Sequence, residues 1–123
     1  MARTVVYVED EPAVQRLVEY WLTDAGYVVH VAGDGAAGLA LIRQVGPDLV
    51  VTDALMPVMS GDELVEELRS DPDLLRIPIV MATAAASPLR VARMLERGCT
   101  AVLSKPLEEQ SLLAAVRRAL GDD

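Results

Sequence analysis

Along the chain, short apolar runs alternate with segments in which apolar residues recur every three or four positions. The runs are TVVYV (4–8), YVVHVA (27–32), DLVVT (48–52), IPIVMAT (77–83) and TAVLS (100–104). Short runs rich in β-branched residues read as buried strands. After the first run, Val14, Leu17, Val18, Trp21, Leu22 and Ala25 keep i, i+3, i+4 spacing. That spacing predicts an amphipathic helix over 12–25, opened by Pro12 and ended by Gly26. An Ala-rich helix is expected over 35–45, stopped by Gly46-Pro47, and a third over 62–70, with its acids near the N-terminus where the helix dipole favours them. Ser87-Pro88 supplies a cap and a first-turn proline for a fourth helix, closed by Gly98. A fifth is expected over 107–120, with Arg117 and Arg118 in its final turns. Five strand-then-helix units in this order predict a parallel sheet covered by helices on both faces, with right-handed crossovers. No linker, repeat or low-complexity segment interrupts the pattern, so residues 1–123 read as one α/β domain.

Composition narrows the class. The 123 residues are 52% hydrophobic and 24% charged, which suits a folded domain with its own core. No apolar run approaches the ~18 residues that span a bilayer, and the opening MARTVVYVEDEP reaches acids too early for a signal peptide. No membrane association is expected. The lone Cys99 excludes an internal disulfide, fits a reducing cytoplasm and reads as a small buried residue. A net charge of -8 argues against direct nucleic-acid binding. The charge is uneven: residues 1–75 carry 14 acids and 4 bases, residues 76–123 carry 5 and 7.

Chemistry gathers where a parallel α/β sheet places its ligands, beyond the carboxyl ends of the strands. The first strand ends in Glu9, Asp10 and Glu11, the third in Asp53, the fourth in Thr83 and Ala84, the fifth in Ser104, Lys105 and Pro106. If the first and third strands are neighbours, several carboxylates crowd one edge, where they repel unless a cation holds them ionised. All-oxygen ligation without His or Cys suits a hard ion such as Mg2+. Lys105 is the only lysine in the chain and falls at the same edge. A carboxylate beside a divalent ion, an ammonium and a hydroxyl can receive a phosphoryl group.

VVYVEDEP, DLVVTDALMPVMSG, VMATA and VLSKPL, in this order and at strand ends, resemble the motifs of the receiver domain of bacterial two-component response regulators, over the full length. The resemblance implies a flavodoxin-like, doubly wound five-stranded sheet. It implies that Asp53 accepts phosphate from a histidine kinase or phosphotransfer protein. Asp10, Asp53 and the Leu55 backbone carbonyl would hold Mg2+ (or Mn2+), with Glu9 helping through water. Lys105 and Thr83 would contact the phosphoryl group, and Lys105-Pro106 would be a cis peptide. The domain would catalyse only its own phosphorylation and dephosphorylation. It would then control a downstream protein through the face of the fourth helix, fifth strand and fifth helix, as a monomer or a phosphorylation-dependent dimer. Val102, the expected switch position, stands where the family often has Tyr or Phe, and Glu9 stands where it more often has Asp.

Blander roles compete at several positions. Asp10 or Glu11 could cap the first helix, Thr83 could be an ordinary strand threonine, and His30 reads as an outward strand residue. Arg90, Arg93 and Arg97 form a stripe that reads as a solvated face, with a partner surface as its alternative. A metal-dependent phosphohydrolase with an aspartyl nucleophile would want a second acid at position 55, which is Leu. A receiver-like module that never takes phosphate would have lost an acid, the threonine or the lysine.

Overall fold

In a computed structural model that describes residues 2–122, ten elements alternate along the chain. They are β1 (Thr4–Val8), α1 (Pro12–Asp24), β2 (Val28–Ala32), α2 (Gly35–Val45), β3 (Leu49–Asp53), α3 (Gly61–Ser70), β4 (Ile79–Thr83), α4 (Pro88–Glu96), β5 (Ala101–Ser104) and α5 (Glu109–Leu120). The strands form one parallel sheet in the order β2-β1-β3-β4-β5. β1 and β3 are therefore neighbours, which meets the condition on which the carboxylate cluster depended.

Alternation along each strand splits the core in two. Val6, Val8, Val50, Ile79 and Met81 pack with Leu39, Ile42, Leu64, Leu68 and Met94, which puts α2, α3 and α4 on one face. Val5, Tyr7, Leu49, Val51 and Val80 pack with Val18, Leu22, Leu112 and Val116, which puts α1 and α5 on the other. The pattern's parallel sheet with helices on both faces is present, and the fold is the doubly wound one the resemblance implies.

Helix boundaries shift where caps decide them. α3 starts at Gly61, because Ser60 accepts from the Glu63 amide while the Glu63 carboxylate accepts from the Ser60 amide. α5 starts two residues later than the pattern suggests. Leu107 is spent on the core of the α1/α5 face, and Glu108 is still extended. Neither Asp10 nor Glu11 caps α1 with its side chain: Glu11 occupies the cap position without a side-chain bond. His30 is half-buried rather than fully outward, and Cys99 is buried, as its small apolar reading predicts.

Candidate functional site

Four adjacent strands deliver the site. β1 runs into Glu9 and Asp10, β3 ends on Asp53, β4 ends on Thr83, and β5 runs into Lys105. Asp53 is 6% exposed, and both its oxygens are engaged. Oδ1 accepts from the Ala54 amide at 2.8 Å, and Oδ2 accepts from Lys105 Nζ at 3.0 Å. Lys105 Nζ also donates to Glu9 Oε1 at 3.2 Å, so one ammonium bridges two carboxylates. Burial opposes the charge on Lys105, but its bonds to Asp53 and Glu9 outweigh that and raise its pKa.

Glu9 is 1% exposed and is the most enclosed acid of the set. Its Oε1 also accepts from the Tyr7 hydroxyl at 3.2 Å, and its Oε2 from the Glu11 amide at 3.1 Å. Burial dominates and lifts its pKa, with the Asp53 charge adding to the rise; the Glu11 amide and Lys105 pull the other way. Tyr7 is pushed up strongly by burial and by the same carboxylate, so its hydroxyl stays a donor. Asp10, by contrast, is exposed and faces the open side.

Carboxylate oxygens of Glu9, Asp10 and Asp53 all lie within 4.8 Å of one another. With oxygen donors alone and one acid open to water, the set fits a hard divalent cation such as Mg2+ or Mn2+. A cleft of about 210 Å³ opens above it, lined by Asp10, Glu11, Asp53, Ala54, Leu55, Thr83, Ala84 and Lys105. Thr83 is buried and its Oγ1 accepts from the Ala85 amide at 3.1 Å, which leaves the hydroxyl proton free to donate. The Lys105–Pro106 peptide is cis, as the resemblance implies. Val102 is half-buried against the α2–α4 core and lies outside the cleft.

The backbone approach to Asp53 depends on Gly61. A Cβ there would stand 2.3 Å from the Asp53 carbonyl oxygen, so no larger residue lets α3 start this close. Two supports stand outside the motifs at the strand ends. One is Tyr7, a buried hydroxyl that needs a polar partner. The other is Gln15, whose amide donates to the Glu9 and Ala32 carbonyls and ties α1 to the ends of β1 and β2. Alternation along β1 marks Tyr7 as inward; nothing local marks Gln15.

A family model, the response regulator receiver domain, matches residues 5–117. The chain belongs to that family. The receiver domain is 41% identical over 112 residues to "Hybrid signal transduction histidine kinase D" of Dictyostelium discoideum, covering 91% of the chain and 7% of the kinase. It spans about half the length of several other curated relatives. Among solved structures it resembles the chemotaxis response regulator CheY4 of Vibrio cholerae, with TM-score 0.91 and 33% identity over 97% of this chain and 99% of that one. It also resembles a receiver domain of a sensor histidine kinase from Pseudomonas aeruginosa PAO1 that has a magnesium ion in its active-site cleft. That match has TM-score 0.89 and 27% identity, over 98% and 99% of the two chains. Phosphorelay signalling is the class of work these relatives share.

Proposed function

We propose that Asp53 is the phosphoacceptor of this receiver domain, and that the cluster of Glu9, Asp10 and Asp53 binds the Mg2+ the reaction uses. The observation that carries this reading is the convergence on Asp53 of one ammonium and two further carboxylates at the open end of the sheet. An Asp53 oxygen attacks the phosphorus of a phosphohistidine, the P–N bond breaks, and the imidazole leaves as it takes up a proton. A bound divalent cation supplies charge neutralisation for the carboxylates and the transferring phosphoryl oxygens. Lys105 exchanges its bond to Asp53 Oδ2 for one to a phosphoryl oxygen, and Thr83 donates its free proton to another. The domain is catalytic only toward its own phosphorylation and dephosphorylation. The β3–α3 loop of residues 54–60 is too short for a substrate cap and carries Leu55, 72% exposed, where a phosphohydrolase would need an acid.

The donor is a protein, and the surface beside the site supports that. A groove of about 370 Å³ runs from Lys105 and Ala84 along α1, lined by Val14, Leu17, Trp21, Pro106 and Leu107. Such a groove accepts the apolar face of a helix that presents a histidine. The output face is α4–β5–α5, where Leu89 and Leu95 are exposed and Val102 is half-buried. The free, buried Cys99 supports a reducing cytoplasm as the domain's place of work. No helix among the described residues is long and apolar enough to cross a membrane. The test is transfer of label from a histidine-phosphorylated phosphotransfer protein in Mg2+. Wild type should gain label, Asp53→Asn should gain none, and Leu17→Asp should slow this transfer more than reaction with acetyl phosphate. Label on Asp53→Asn would defeat the assignment.

A further inference from the structure

On the α2–α4 side of the sheet, exposed charge sorts by helix. α3 carries Asp62, Glu63, Glu66 and Glu67 against one base, Arg69. The Arg69 guanidinium is already committed to the carbonyls of Gly98, Leu75 and Ile77. α4 and its cap carry Arg90, Arg93 and Arg97 against one acid, Glu96. Two clefts of about 330 Å³ each meet at Asp62 and Arg97 and form one groove between the helices. Within the chain the two charged ridges barely use each other. The Arg90–Asp62 pair is loose at 3.7 Å, and Arg90 Nε is buried without a partner. Glu66, Glu67, Arg93 and Arg97 are exposed and take part in none of the ion pairs among the described residues.

We propose that this face is a contact between two copies of the chain, with α3 of each lying on α4 of the other about a twofold axis along the groove. A twofold contact must be self-complementary, and an acidic ridge beside a basic one is. The spacing agrees. Glu66, which lines the groove, is the sixth residue of α3, and Arg93 is the sixth residue of α4. Helices that lie parallel with their starts aligned set Glu66 opposite Arg93, and symmetry makes the pair twice. Leu89, 62% exposed at the groove, supplies apolar area.

Size sets the strength. Helices of nine and ten residues are about 15 Å long. Side by side at about 10 Å they offer a patch of about 300 Å² per copy, far below the ~800 Å² of a standard interface. Each copy also carries -8, which repels at long range. The contact is therefore weak and chosen by charge pattern. It does not depend on the phosphoacceptor assignment.

Sedimentation equilibrium at protein concentrations of about 0.1–1 mM reads this directly. Wild type should show a monomer–dimer equilibrium. Arg93→Glu with Arg97→Glu, and separately Glu66→Arg with Glu67→Arg, should each weaken it at least about tenfold. An equimolar mixture of the two variants should recover wild-type association, because each then meets its complement. Glu108→Arg with Glu109→Arg changes net charge equally but lies on α5, so its mixture with the arginine variant should recover nothing. The single-site pair Arg93→Glu and Glu66→Arg repeats the test with less perturbation. A monomeric wild type, a mixture no stronger than its parts, or recovery by the α5 control would each overturn the proposal. So would a monomer whose arginine stripe instead binds poly-glutamate, since the occupant would then be an acidic partner.

Discussion

Glu9 holds a carboxylate that is 1% exposed, within 4.8 Å of oxygens of two other acids, with one ammonium shared between it and Asp53. Burial is the main reason its pKa stands above the usual 4.5. Over the interval above 4.5 the folded protein keeps a proton there that the unfolded chain has released. The contribution of Glu9 to stability therefore falls as pH rises through that interval. Glu9→Gln removes the buried charge and keeps the shape. With the metal chelated, this variant should melt a few degrees above wild type near neutral pH, and the gain should shrink as pH approaches 4.5. A variant that melts below wild type at neutral pH would mean the buried charge is fully compensated. The sequence announces Glu9 as an unusual first acid; that it folds inward onto Lys105 depends on Tyr7 and the Glu11 amide, and no local pattern encodes that arrangement.

At the scale of elements, the β3–α3 connection stores strain. Val58 is β-branched, 81% exposed and at φ 70°, with the Met59 amide bonded to the Pro57 carbonyl at 2.8 Å in a γ-turn. Left-handed backbone costs a non-glycine residue about 1–2 kcal/mol. Val58→Gly relieves that cost and gives back about 0.5–1 kcal/mol to the more flexible unfolded chain. It should stabilise by about 0.5–1 kcal/mol, read as a rise of a few degrees in Tm. A fall in Tm would show that the turn is held by side-chain contacts of Val58. All ten elements were legible, the strands as compact apolar runs, α1 from its apolar stripe, and the other helices from Ala content, end charges, caps, prolines and glycines. Their ends were less so. The Ser60–Glu63 capping box sits in plain S-x-x-E spacing and marks the start of α3 locally, while the late start of α5 reflects a tertiary demand on Leu107 that no local signal shows.

For the whole molecule, strand order is what turns scattered residues into a site. Glu9 and Asp53 lie 44 positions apart in the chain, and Lys105 a further 52. They meet only because β1 pairs with β3, β3 with β4 and β4 with β5. Local patterning predicts a parallel sheet without fixing its order; the motifs at the strand ends supplied the remaining constraint. The three acids come together only in the folded chain, so Mg2+ bound there would stabilise that state and should raise Tm. Asp10→Asn should shrink that increment, because Asp10 is the acid open to incoming ions, and an unchanged increment would remove it from the ligand set. The central claim is that Asp53 takes the phosphoryl group in a metal-dependent reaction. Intact mass after incubation with acetyl phosphate tests it most directly. Wild type should gain one phosphoryl group in Mg2+ and none when the metal is chelated, and Asp53→Asn should gain none in either condition. A phosphorylated Asp53→Asn protein, or a wild type phosphorylated equally well without metal, would contradict it.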